Sequence, residues 1–196
     1  MRPGGGQSKG AAYEREVCAR LSLWVSGGKQ QDIFWRSAMS GGRANLQQRR
    51  KKAGEFSAQA GDIVATHWDG HFFLSKFCMD TKHWADFEID APAFGKKDGA
   101  FVVAWEKLCE EAARFGKWPM LVGKENRHGE FAAVSVAGLA WLRGAVRARP
   151  HVRLLSSPID LMTPAYFVSF EDILTLDFAL LVAADKRRTA RVPILD

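Results

Sequence analysis

The chain has few cysteines, no internal repeat and no uninterrupted hydrophobic run of membrane length. Its three cysteines, Cys18, Cys78 and Cys109, are odd in number and show no CxxC spacing. This argues against a disulfide framework or a zinc site and predicts buried, reduced thiols in an intracellular, cytoplasmic protein. The start, Met1-Arg2-Pro3-Gly4-Gly5-Gly6, has no apolar core, so no signal peptide is expected. The longest apolar stretch, 161–184, is interrupted by Pro164, Glu171, Asp172 and Asp177, which excludes a membrane span.

What is present fits one globular unit. A length of 196 residues and a 47% hydrophobic fraction can supply a core. The net charge of +6 favours an anionic partner. Much of that excess lies in one short segment, where Arg43, Arg49, Arg50, Lys51 and Lys52 occur with no acid among them. A basic loop of this kind is either a solvated surface or a phosphate contact, and its place just before Asp62 favours the second.

Two segments carry the chemistry. Gly61-Asp62-Ile63-Val64-Ala65-Thr66 reads as a strand, Asp69-Gly70 as a hairpin turn, and Phe72 to Lys82 as the returning strand. Side chains two apart in a strand share a face, so Asp80 and Lys82 point the same way, with Phe72, Leu74 and Cys78 further back. Folding at the turn would bring Asp62 beside Asp80. Two carboxylates and a lysine so arranged suit a divalent metal and a scissile phosphate, which makes phosphodiester hydrolysis the leading expectation.

The rest of the chain supports an α/β fold. A helix is predicted from Gly10 to about Ser26, with Tyr13, Val17, Leu21 and Trp24 on one stripe and Gly27-Gly28 ending it. Glu14 lies on or beside that stripe and needs a metal or an arginine as partner, while Glu16 falls with Arg20 on the outer side. Ile33 to Ser37 reads as a strand and 38–60 as a long loop. A second helix, Phe101 to Gly116, has the stripe Trp105, Leu108, Cys109, Ala112 and Phe115, with Lys107, Glu110, Glu111 and Arg114 outside. Strands follow at Pro119–Val122 and Phe131–Val136, then a helix at Ala137–Val146. The last segment reads as a strand at Tyr166–Val168 and a single helix from Glu171 to Ala184. This order implies a central mixed sheet flanked by helices. The expected organisation is an arm at 1–9, a core at 10–136, and a helical extension at 137–196 that covers the core or forms a dimer interface. His67, His71 and His83 read as structural. Trp68 and Trp84 are candidates for base stacking or core packing, and Arg143, Arg147, Arg149 and Arg153 for a second basic patch or a solvated face.

In their order, these motifs resemble the PD-(D/E)xK nuclease superfamily, with its restriction-endonuclease-like αβββαβ core, and within it archaeal-type Holliday junction resolvases. The residues that carry the resemblance are Lys9-Gly10 with Glu14-Arg15-Glu16, Arg36-Ser37, Asp62-Ile63-Val64-Ala65, Asp80-Thr81-Lys82, and Arg114-Phe115-Gly116 leading to Pro119–Val122. The resemblance spans about residues 8 to 136. It implies Asp62 and Asp80 as metal ligands, with the Thr81 backbone carbonyl as a third and Glu14 acting through a water or a second metal. It implies Lys82 as the catalytic lysine, and Arg15, Arg36 and Ser37, with the basic loop, as DNA contacts. Mg²⁺ is the implied metal, with Mn²⁺ as a substitute, and the implied partners are branched or duplex DNA and a second copy of the chain. A phage or mobile-element member would act in the host cytoplasm. The second acid is Asp rather than the commoner Glu, the loop at 38–60 is long, and a tail follows the shared core. These departures leave open another nuclease of the superfamily (nicking, restriction-type or end-processing), or a DNA-binding module without catalysis.

Overall fold

The computed structural model describes residues 5–37, 60–88, 99–126, 129–146, 157–159 and 163–189. The basic segment holding Arg43, Arg49, Arg50, Lys51 and Lys52 lies outside them, as do Arg147, Arg149 and Arg153. Among the described residues no helix is long and apolar enough to cross a membrane.

The architecture is α/β, with a mixed sheet between helices. Helix α1 (Gly5–Val25) is followed by β1 (Phe34–Arg36) and β2 (Ile63–Ala65), which pair antiparallel. Helix α2 (Trp68–Lys76) then leads into β3 (Phe77–Trp84), α3 (Ala100–Arg114), β4 (Trp118–Glu125), β5 (Gly129–Val134) and α4 (Val136–Val146). The chain continues through β6 (Ser157–Ile159), β7 (Ala165–Ser169), α5 (Phe170–Thr175) and α6 (Phe178–Thr189). The main sheet has the order β3-β4-β5-β7-β6, parallel between β3 and β4 and antiparallel elsewhere. A parallel bridge from Gly61 to Met79 ties the start of β2 to β3.

Strand alternation divides the core into two layers. Phe77, Met79, Met120, Val122, Ala132 and Val134 face one side, where α1 supplies Tyr13, Val17, Leu21 and Trp24. Cys78, Leu121 and Ala133 face the other, where α3 lays down Phe101, Trp105, Leu108 and Ala112. The α1 stripe is buried as its spacing predicts, and so are Trp105, Leu108 and Ala112 of the α3 stripe, whereas Cys109, expected to be a buried thiol, and Phe115 are half-buried at its edge. Asp80 and Lys82 continue the Cys78 row, which places them on the α3 side of the sheet.

Several expectations are corrected. The predicted hairpin is absent: Phe72 and Leu74 lie in α2, and β2 pairs with β1 rather than with β3. Gly70 is not a turn residue but a point of close packing. A Cβ there would sit 2.8 Å from both Ala65 Cβ and Ile33 Cγ2, so only glycine lets α2 lie against the β1–β2 ribbon. The helix is capped by His67, whose Nδ1 accepts from the Asp69 N–H at 3.4 Å. It buries Gly70, Phe73 and Leu74, a helical spacing rather than a strand one.

Helix α1 begins at Gly5, ahead of the predicted Gly10, because the stretch 5–10 has no apolar residue to give a readable period. The single C-terminal helix is in fact two. Ser169 caps α5 through its Oγ, Leu176 is extended, and Asp177 Oδ1 accepts from the Leu180 N–H at 3.2 Å to start α6. The extension is also not purely helical, since β7 joins the sheet beside β5. Phe170, Ile173, Leu176, Phe178 and Leu181 are buried in the chain's own α1-side core.

Candidate active site

Asp62 and Asp80 meet although no hairpin joins them. The Asp62 N–H donates to the Met79 carbonyl at 2.8 Å, and the Asp62 carbonyl accepts from the Ser37 N–H at 2.8 Å. The segment before β2 is thus stitched to β3 on one side and to the end of β1 on the other. Gly61 makes the approach possible. It has φ +87°, and a Cβ there would lie 2.1 Å from the Met79 carbonyl oxygen, so no other residue fits.

Lys82 closes the group. Its Nζ donates to Asp80 Oδ1 at 2.5 Å and lies 3.5 Å from both Asp62 Oδ2 and the Thr81 carbonyl oxygen. Three oxygens therefore converge on one ammonium. A cavity of about 180 Å³ opens here, lined by Glu14, Gly61, Asp62, Asp80, Lys82, Lys107, Leu108 and Glu111.

The electrostatics follow from burial and crowding. Burial pushes the Asp80 carboxyl up, and its hydrogen bond to Asp62 and the Asp62 charge push it further, to about 8, against the pull of Lys82. Burial would also raise Asp62, but its bond to Asp80 and the Lys82 charge outweigh this and hold it below the ordinary carboxylate value. The two carboxyls thus move in opposite directions, because each opposes the ionisation of the other. Burial opposes the Lys82 ammonium, yet Asp80 and Asp62 more than compensate and raise its pKa. Lys82 therefore keeps its proton in this group.

Glu14 reaches the cavity from α1, and its Oε2 is ion-paired with Arg36 Nε. The partner that Glu14 needs is therefore an arginine. Arg36 is about two-fifths exposed, Arg15 is exposed beside Glu14 in sequence, and Ser37 contributes its backbone N–H to Asp62. His83 faces away, its ring 5.5 Å from that of Tyr13. Trp68 is exposed and stacked on Phe72, and Trp84 lies against Phe87, so neither ring lines the cavity.

Sequence reasoning missed the contribution of α3. Lys107 and Glu111, placed on its outer face, both line the cavity, and Glu111 Oε1 accepts from the Gly61 N–H at 3.1 Å. The signal was present. The two are one turn apart, and Leu108, between them on the same turn, belongs to the buried stripe. Glu111 sits at the border of that stripe, not opposite it.

A family model described as "phage putative PDDEXK endonuclease" matches residues 5–153. The chain belongs to this family. That membership puts it in the PD-(D/E)xK superfamily, and the family name indicates an endonuclease. No curated protein and no solved structure matches the chain. Such nucleases generally use divalent metals. Among the described residues, no group of three or more His, Cys, Asp or Glu side chains has metal-holding geometry. The oxygen set around Lys82 includes two carboxylates and one backbone carbonyl, all hard donors.

Proposed function

We propose that this PDDEXK protein is a divalent-metal-dependent DNA endonuclease, with Glu14, Asp62, Asp80 and Lys82 as its catalytic group and branched DNA as its preferred substrate. One observation carries the reading: Lys82 Nζ lies among oxygens of Asp62, Asp80 and Thr81, which brings two carboxyls and a backbone carbonyl around one cation. A set of oxygens that already holds one cation suits another. Hard donors favour Mg²⁺, with Mn²⁺ as substitute, held by Asp62, Asp80 and the Thr81 carbonyl, with Glu14 acting through a water. Bound there, the metal would supply an activated water and charge stabilisation on the phosphate and leaving oxygen.

The protein's own groups do the remaining work. Lys82 stays protonated beside two acids, so it orients the attacking water and stabilises charge developing on the phosphate rather than acting as the base. Arg36 holds Glu14 at the rim and, being half-exposed, offers its remaining guanidinium N–H groups to a phosphate. Arg15, Ser37 and the basic segment of Arg43, Arg49, Arg50, Lys51 and Lys52 extend the phosphate track. Cutting two strands of a junction symmetrically calls for a two-fold dimer. The three free cysteines suit a reducing cytoplasm.

A second reading, a nicking, restriction-type or end-processing nuclease, is favoured by the C-terminal segment. Its apolar residues Leu176, Phe178 and Leu181 are buried against the chain's own core and are not free for a partner. The test is incubation with Mg²⁺ and a panel of four-way, flap, linear duplex and single-stranded DNA, using wild type and Lys82→Ala. Wild type is expected to cleave the four-way junction best, and Lys82→Ala to lose at least about 10²-fold, the usual scale for one electrostatic donor. Cleavage of nothing by wild type ends the nuclease reading. Equal cleavage of junction and linear duplex ends the resolvase reading.

A further inference from the structure

The opposite wall of the cavity belongs to α3, and one of its side chains holds the backbone that delivers Asp62. Glu111 Oε1 accepts from the Gly61 N–H at 3.1 Å. In the next residue, the Asp62 N–H donates to the Met79 carbonyl and the Asp62 carbonyl accepts from the Ser37 N–H. Three of the four backbone polar groups of Gly61 and Asp62 are therefore tied to three different parts of the chain: α3, β3 and the residue after β1. The ties to Met79 and Ser37 are backbone to backbone and set by strand geometry, whereas the tie to α3 depends on one side chain. Gly61, at φ +87° and with no room for a Cβ against the Met79 carbonyl, has more backbone freedom to lose than any other residue type, so a fixed N–H helps to hold it. The Lys117 ammonium, just past the end of α3, is buried with no hydrogen-bond partner among the described residues. Burial pushes its pKa down, while Cys78 and Glu111 pull it back, so a buried cation stands within electrostatic reach of the Glu111 carboxylate.

We propose that Glu111 is a positioning residue for the nuclease reaction: by accepting the Gly61 N–H it sets the turn that brings the Asp62 carboxylate to Asp80 and Lys82. This rests on the nuclease reading above. A carboxylate moved by about an ångström at such a site costs on the order of 10²-fold in rate. Glutamine keeps an oxygen at the same place and alanine does not, so the two substitutions separate the hydrogen bond from the charge.

The experiment compares wild type, Glu111→Ala and Glu111→Gln. The first readout is the single-turnover rate on whichever panel DNA the wild type cleaves. The second is hydrogen exchange at the Gly61 and Asp62 amides of the metal-free protein. Glu111→Ala is expected to lose about 10- to 100-fold in rate, with DNA affinity changed less than about twofold, and to lose protection at Gly61. Glu111→Gln is expected to retain that protection and to cleave within about threefold of wild type. Wild-type rate and protection in Glu111→Ala would overturn the proposal, as would a Glu111→Gln variant as slow as Glu111→Ala. If the wild type cleaves no DNA, the nuclease reading fails, and the exchange data still decide whether Glu111 holds the Gly61 turn.

Discussion

Replacing Asp80 by asparagine should abolish cleavage and yet stabilise the metal-free protein above neutral pH. The Asp80 carboxyl titrates near 3.8 when free and at about 8 in the fold, pushed up by burial and then by Asp62. Between those values the folded state keeps a proton that the unfolded chain has released. Stability from this group is therefore complete below about pH 4 and is lost as pH rises towards 8. Each pH unit removes roughly 1.4 kcal/mol, which caps the loss at ~6 kcal/mol for Asp80 considered alone. Part is returned, because Asp62 titrates below its ordinary value and Lys82 above its own within the same cluster. A net gain of about 2 kcal/mol for asparagine at pH 8.5 is the expected scale when a poorly compensated buried charge is removed. For a chain of this size that is roughly 4–8 °C in Tm. Thermal unfolding followed by circular dichroism in EDTA, at pH 5.5, 7.0 and 8.5, measures it. The difference between variant and wild type should widen steadily with pH. An asparagine variant less stable than wild type at pH 8.5, or a difference independent of pH, would refute the reasoning.

Gly61→Ala is expected to cost more than about 2 kcal/mol, since the new methyl group meets a backbone carbonyl at a positive φ, and denaturant unfolding would show the midpoint fall. Lys107, exposed at the rim of the cavity, is placed to meet a phosphate. Lys107→Ala should leave stability within about 0.5 kcal/mol of wild type, while the slope of log binding constant against log salt for duplex DNA falls by about 0.9. An unchanged slope would remove Lys107 from the DNA path.

The shared face of Asp80 and Lys82 in the candidate site was legible because strand alternation is local: the two had to point the same way wherever β3 began. Helices α1 and α3 were legible for the same reason, each showing an apolar stripe at helical spacing. The route from Asp62 to Asp80 was not. Asp-Gly is a strong turn signal, but Gly70 serves a contact with Ala65 and Ile33, residues that only the folded chain brings near. Pairing of β2 with β1, and the bridge from Gly61 to Met79, depend on that non-local contact and leave no periodic trace. Glu111 was hidden by the coarseness of a helical wheel, on which a residue at the border of the buried stripe looks the same whether it faces solvent or a neighbouring loop. The break between α5 and α6 turns on the Asp177 side chain capping a new helix rather than merely interrupting an apolar run.

The stretch shared with the family ends at residue 153, but the folding unit does not. Strand β7 covers the edge of β5 from Phe131 to Val134, and Phe170, Ile173 and Phe178 fill the layer beneath α1 alongside Trp24 and Phe73. Trimming the chain to the part held in common with its relatives would strip a sheet of its neighbour and open an apolar face to solvent, two routes to aggregation. Inheritance and foldability thus have different boundaries in this chain: the stretch shared with the family holds the candidate site, and what lies beyond it completes the core on which that site stands.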